Sequence, residues 1–147
     1  MRVGWPELIT VAVTFATVVG VVLLHYEGLS LIGRAIRTRT LHHRAKVLAT
    51  IFAQLVLHII EIWVFGLVAL LLVESLQFGA LQPAAGGGYL DYVYFSAITY
   101  TTVGFGDFVP TGPVRFLAGT EALTGFLLIT WSASFTFLEM RRYWGRD

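Results

Sequence analysis

Thr101-Thr102-Val103-Gly104-Phe105-Gly106-Asp107 decides how the rest of the chain is read. Two glycines at alternate positions, set among small β-branched residues, are what a backbone needs to line up successive carbonyls. Glycine alone takes φ > 0 readily, so Gly104 and Gly106 let neighbouring peptide planes turn their oxygens to the same side. A ladder of such oxygens can replace the water around a dehydrated cation. An ordinary tight turn would use the glycines, but would need neither Thr101, Thr102 and Val103 before them nor Asp107 after them.

Composition places this stretch in a membrane protein. Hydrophobic residues make up 56% of the 147, and the mean hydropathy is strongly positive, above the soluble range. At about 20 residues per span there is room for three or four spanning helices and none for a catalytic or ligand-binding domain. The absence of cysteine excludes disulfides and thiolate metal sites. No nucleotide, metal or nucleophile constellation appears, so the expectation is a protein that is not an enzyme, has no cofactor and binds no nucleic acid.

Residues 8–24 form an apolar run bounded by Trp5-Pro6-Glu7 and His25-Tyr26-Glu27, which predicts a first spanning helix. A cleaved signal peptide would need a basic leader and a small-residue cleavage site, whereas Arg2 is the only basic residue ahead of the run. Thr10, Thr14, Ala16, Thr17 and Gly20 give it a small-residue face for close helix packing. Residues 28–46 then carry Arg34, Arg37, Arg39, Arg44, Lys46, His42 and His43, a basic cytoplasmic loop under the positive-inside rule. Leu29, Ile32, Ala35 and Ile36 recur at helical spacing opposite the arginines. The segment therefore reads either as a solvated basic turn or as an interfacial helix touching anionic lipid at Arg34, Arg37 and Arg39.

A second spanning helix is expected over residues 47–75, interrupted by Gln54, His58 and Glu61; the last two are neighbours on one helical face and pair towards protein. The stretch 74–90, with Pro83 and Gly86-Gly87-Gly88, reads as an extracellular turret. Asp91 is expected to cap a short aromatic helix over 91–101, and Gly112-Pro113 to open a last spanning helix over 113–139 ending near Arg141 and Arg142.

The order of helix, aromatic half-helix, T-V-G-F-G loop and helix resembles the pore domain of small potassium channels, in which four such loops form the selectivity filter. The resemblance covers roughly residues 47–137. It implies an all-α membrane protein with three transmembrane helices, a re-entrant pore helix and a filter loop over 102–106, assembled as a fourfold homotetramer. It divides the chain into 1–46, an additional helix with its loop, and 47–147, the pore domain. Thr102 would give its hydroxyl and carbonyl to the innermost K⁺ site, with the carbonyls of Val103, Gly104 and Phe105 above it. Thr101, Gly106, Asp107, Tyr94 and Glu121 would support the filter; Tyr94 stands where tryptophan is common, and Ile98 replaces a glutamate that pairs with the aspartate, so Asp107 has no carboxylate partner. Phe105 replaces the commoner tyrosine, which removes a bracing hydroxyl. Gly125 falls where the family has its inner-helix hinge, with Gly119 as a competing bend. Phe126, Ile129, Thr130 and Ala133 would line the pore, and Phe137 would form the gate.

Counting back from an outward-facing filter puts the N-terminus outside and the C-terminus, with Arg141, Arg142 and Arg146, in the cytoplasm. Trp5, Tyr89, Tyr143 and Trp144 fall at span ends, where amphipathic rings anchor. The expected function is passive K⁺ conduction across the cell membrane; the alternatives are a K⁺-transporter subunit or a non-conducting membrane protein. Glu121, roughly 10 Å below the outer end of the last helix at 1.5 Å per residue, is expected to bond hydroxyls of the short aromatic helix, such as Thr99 or Tyr100, as a structural group, the alternative being a proton sensor.

Overall fold

The first helix does not stop where its apolar run stops. The computed structural model describes residues 4–83 and 88–144, and in it α1 runs unbroken over Trp5–Arg37, 33 residues. At 1.5 Å per residue this is about 50 Å, longer than a hydrocarbon core of about 30 Å. Its buried positions are Thr10, Thr14, Val21, His25, Leu29, Gly33 and Ile36. They lie three, four or seven residues apart, which is one stripe of a helix, and that stripe packs on the second and last helices.

The expected break at His25-Tyr26-Glu27 and the expected loop over 28–46 are therefore corrected: the link is only 38–42. Glycine inside a helix costs about 1 kcal/mol, yet Gly28 and Gly33 are points of close approach. A Cβ on Gly28 would lie 2.7 Å from Leu57, and one on Gly33 would lie 3.2 Å from Phe135. Leu29 and Ile36 are buried against protein, so this segment is not a separate interfacial helix; Arg34, Arg37 and Arg39 remain exposed. Of the small-residue face, Thr10 and Thr14 are fully buried, their hydroxyls donating to the Pro6 and Thr10 carbonyls, whereas Ala16 and Gly20 are exposed.

Helix α2 occupies His43–Leu70 and continues as a π-helical turn, Leu71–Ser75. It begins four residues before residue 47, so the boundary expected between 46 and 47 falls inside its first turn. The last helix, α4, spans Val114–Trp144, longer than the 113–139 expected. The spans Trp5–Arg37, His43–Ser75 and Val114–Arg142 are each long and apolar enough to cross a membrane. Helices α1 and α4 run in the same direction, since Phe15 meets Phe116 near their starts (ring centroids 6.3 Å apart) and Arg37 approaches Glu139 near their ends.

Between α2 and α4 sits α3, Tyr89–Tyr100. Gly88 holds its cap position without a side-chain hydrogen bond, and Asp91 lies in the first turn rather than capping it, which corrects that assignment. The approach to α2 is close because of Gly66, where a Cβ would stand 2.9 Å from the Val93 Cα. Ser96 fixes the register by donating to the Ile62 carbonyl at 2.8 Å.

The turret holds regular structure that the sequence did not suggest. Strand β1, Ala80–Gln82, pairs antiparallel with β2, Val109–Thr111, in the register Ala80↔Thr111, Leu81↔Pro110, Gln82↔Val109. This ties the end of the second span to the segment that leaves the candidate filter. The backbone around it is tight: Gly79 has φ +131, and a Cβ there would meet the Thr111 carbonyl oxygen at 2.2 Å. The Val114 N–H donates to the Phe78 carbonyl at 3.1 Å, so α4 starts from this clamp. Gly86, Gly87, Arg2, Arg146 and the Tyr143 and Trp144 side chains lie outside the described residues.

Gly79→Ala is expected to cost about 2 kcal/mol or more, since the Cβ meets backbone and φ is left-handed. Thermal unfolding in detergent should show a clear loss of melting temperature, while Gly88→Ala, with nothing within 4 Å of the added carbon, should stay near wild type.

Candidate functional site

The quoted stretch begins where α3 ends. The Thr101 N–H and Thr102 N–H donate to the Ala97 and Thr99 carbonyls at 3.1 and 2.9 Å, closing the last turn, and the Thr101 hydroxyl donates to the Ala97 carbonyl at 2.7 Å. The chain then leaves the helix through alternate left-handed residues: Thr102 has φ 59, Gly104 φ 54 and Gly106 φ 79. The two glycines behave as their residue type dictates. Thr102 does not, because a β-branched residue in this region is strained. The Gly104 N–H reaches back to the Ile98 carbonyl at 3.0 Å, anchoring the loop to the helix. Val103 and Phe105 are exposed, at 53% and 72%. An alternating backbone of this kind is what successive carbonyls need to share one side.

Two supports hold the loop. Tyr94 donates its hydroxyl to Asp107 Oδ2 at 2.7 Å, while Asp107 Oδ1 accepts from the Phe108 N–H at 3.1 Å. Ile98 cannot brace Asp107, and the Tyr94 phenol takes that place. The hydrogen bond to the carboxylate raises the phenol's pKa above its ordinary value, which keeps it a donor.

Glu121 of α4 is fully buried and accepts from the Ser96 hydroxyl of α3. The partner is a hydroxyl of this short helix, as expected, but it is that of Ser96 rather than of Thr99 or Tyr100. Ser96 lies one turn earlier on α3, and one face of that helix presents residues four apart together. One turn deeper, α4 approaches the end of α3 so closely that a Cβ on Gly125 would lie 2.1 Å from the Tyr100 carbonyl oxygen. Helix α4 runs through Gly125 without a break. Gly125 makes a close packing contact in this conformation, while Gly119 has nothing within 4 Å of the position of its missing Cβ.

Tyr100 itself belongs to a buried cluster. His58 and Glu61 pair as their spacing predicts, Nδ1 to Oε2 at 2.9 Å. His25 of α1 joins them, its Nδ1 2.8 Å from Glu61 Oε1, and the Tyr100 hydroxyl donates to Glu61 Oε2 at 2.5 Å. His25 and Glu61 are both 0% exposed. Reading His25 as a span boundary missed it; the signal was the stripe Val21, His25, Leu29, which continues at helical spacing straight through the polar residues.

Phe126, Ile129, Thr130, Ala133 and Phe137 all lie exposed on α4. At the far end of the molecule Glu139, nearly buried, approaches Arg37 of α1 at 3.9 Å and accepts from Arg142. Among the described residues the lysine and arginines other than Arg115, which starts α4, therefore gather at the end opposite the quoted stretch.

Three membrane-length helices around a half-length helix and an exposed, glycine-alternating loop define a membrane channel. A family model described as ion channel matches residues 47–141, and the chain belongs to that ion-channel family. It is a multi-pass membrane protein. No curated protein and no solved structure matches the chain.

Because Gly125 touches backbone, Gly125→Ala should overpack the α3–α4 contact and cost about 1–3 kcal/mol. The check is thermal stability in detergent, with Gly119→Ala expected near wild type; a fully stable Gly125→Ala protein with altered gating would instead favour a hinge.

Proposed function

We propose that the chain is one quarter of a homotetrameric, potassium-selective channel that conducts K⁺ passively across the cell membrane. The observation that carries this reading is the alternation of left-handed residues at 102, 104 and 106 in an exposed loop fixed to the end of a half-length helix. A dehydrated K⁺ would sit between rings of four oxygens: the Thr102 hydroxyl and carbonyl innermost, then the carbonyls of Val103, Gly104 and Phe105. Thr101, Gly106, Asp107 and Tyr94 support that loop, and Glu121 supports it from behind by holding α4 to α3. The C-terminal end of α3 points its partial negative charge at the same place, which favours a cation there.

One loop supplies a quarter of a ring, and closed fourfold symmetry puts the ion path on the axis. Exposed apolar side chains, Phe105 among them, are then buried by neighbouring subunits, and Phe126, Ile129, Thr130 and Ala133 line the inner path. Phe137 is the proposed gate, where four aromatic rings can close a dewetted constriction. The clustering of arginines at the end away from the loop supports an orientation with that end, and the C-terminus, in the cytoplasm and the N-terminus outside. Arg34, Arg37 and Arg39 would then meet anionic headgroups of the inner leaflet.

Reconstituted protein should run as a tetramer in native mass spectrometry and pass K⁺ but not Na⁺ into vesicles. Gly104→Ala should abolish the selective flux, because a Cβ opposes the left-handed backbone by about 1–2 kcal/mol per subunit and narrows the axis. A K⁺-conducting monomer or dimer, or unchanged flux in Gly104→Ala, would falsify the reading. Phe137→Ala should raise K⁺ flux several-fold; equal flux would place the gate at the loop.

A further inference from the structure

The cluster of His25, His58 and Glu61 is more than is needed to hold two helices together. Its three residues come from two spanning helices, and their nearest nitrogen and oxygen atoms all lie within 4.8 Å of one another. Both histidines turn Nδ1 to the same carboxylate, at 2.8 and 2.9 Å, and the Tyr100 hydroxyl lies 3.0 Å from His58 Nδ1. We infer that His25, His58 and Glu61 form a buried binding site for a divalent transition-metal ion of the zinc class, with the Tyr100 oxygen in reach as a fourth ligand.

The donor set suits that ion. Two imidazoles and a carboxylate are a recurrent zinc set, with bonds of about 2.0–2.2 Å, so tetrahedral ligands stand about 3.3 Å apart. The two histidine–Glu61 separations, 2.8 and 2.9 Å, are a few tenths of an ångström shorter, and a small outward movement of side chains opens the site. The tautomers also allow it. His58 Nε2 lies 3.0 Å from the Ser132 hydroxyl, which can either donate to that nitrogen or accept from it. When Nδ1 binds metal, the Nε2–H donates to Ser132, an orienting contact typical of ligating histidines.

His25 Nε2 is buried and has no hydrogen-bond partner among the described residues, while Glu61 Oε1, 2.8 Å away, accepts the Nδ1–H; a metal ion would displace that proton and leave Nε2 free to carry the remaining one. The His25 ring packs against Trp131, centroids 5.3 Å apart. With a metal ion between them in place of the proton, the Nδ1 lone pair and the Glu61 carboxylate both become ligands. A cavity of about 360 Å³ between α2 and α4 reaches His58, its mostly apolar wall, with Ile51, Leu55 and Phe137, interrupted by Gln54, Ser132 and Thr136; it is the route by which an ion would approach.

Binding adds two positive charges next to the residue that ends α3, two positions before Thr102. That opposes the field favouring a cation at the loop, so metal should reduce cation flux. It would also lock α1, which lies outside the matched residues 47–141, onto the pore unit.

The test uses the full-length protein in lipid with Co²⁺ as a spectroscopic stand-in for Zn²⁺. The chain has four histidines, and replacing His42 and His43 with glutamine leaves only the two in the cluster. This background should bind one Co²⁺ per chain with visible d–d bands of tetrahedral intensity, and Zn²⁺ should displace it. His25→Asn and His58→Asn keep an N–H donor where Nδ1 stood and remove the ligand nitrogen; each should weaken Co²⁺ binding at least tenfold while thermal stability stays within a few degrees. The binding readout does not depend on K⁺ conduction, so it stands apart from the channel reading. Absence of the bands at millimolar Co²⁺, or bands of unchanged affinity in His25→Asn, overturns the inference.

Discussion

The carboxyl group of Glu61 is the constraint on which the arrangement of helices depends. Placed in the middle of a span, it cannot face hydrocarbon without a cost of several kcal/mol, and a buried polar group must find partners within the protein. Its partners come from three helices: His25 from α1, His58 from α2 itself and Tyr100 from the end of α3. That requirement brings α1 against α2 at one particular depth and rotation, because a helix turned by one residue would aim His25 elsewhere. It also fixes the last residue of α3 before the glycine-alternating loop begins. Apolar packing alone sets such choices poorly in a membrane, where lipid tails compete equally well for an aliphatic side chain.

Around this node the structure relies on close backbone approaches. Gly66 admits α3 to α2 and Gly125 admits α4 to α3, each at distances no side chain would allow. Ser96 sits between these contacts, its one hydroxyl within hydrogen-bond distance of both the Ile62 carbonyl and Glu121. The half-length helix is therefore gripped along two faces. At its outer end the β1–β2 pair and the Tyr94–Asp107 hydrogen bond hold the returning chain. The strained φ of Thr102 persists because both sides of that residue are fixed in this way.

Much of this was legible in residue order. Three apolar stretches of sufficient length dictated three spans, since no other structure satisfies backbone groups in lipid. The pair Gly104 and Gly106 dictated a left-handed, alternating backbone, because φ > 0 is a property of the residue type itself. The His58–Glu61 pair followed from helical spacing. These features are local, and local features are written in neighbouring residues.

What only the tertiary structure decided is long-range. His25 meets Glu61 across 36 positions, and Ser96 meets Glu121 across 25; neither distance has a period that sequence could reveal. The length of α1 was misjudged because glycines and arginines over 28–37 suit a loop in isolation, and become helical when Gly28 and Gly33 let Leu57 and Phe135 pack closely. The strands of the turret depend on pairing with residues beyond the loop, so neither could be seen alone. The sequence by itself determined the spans and the backbone chemistry of the loop, whereas partner choice, helix depth and the close approach at Gly125 depend on which surfaces pack, which residue order does not carry.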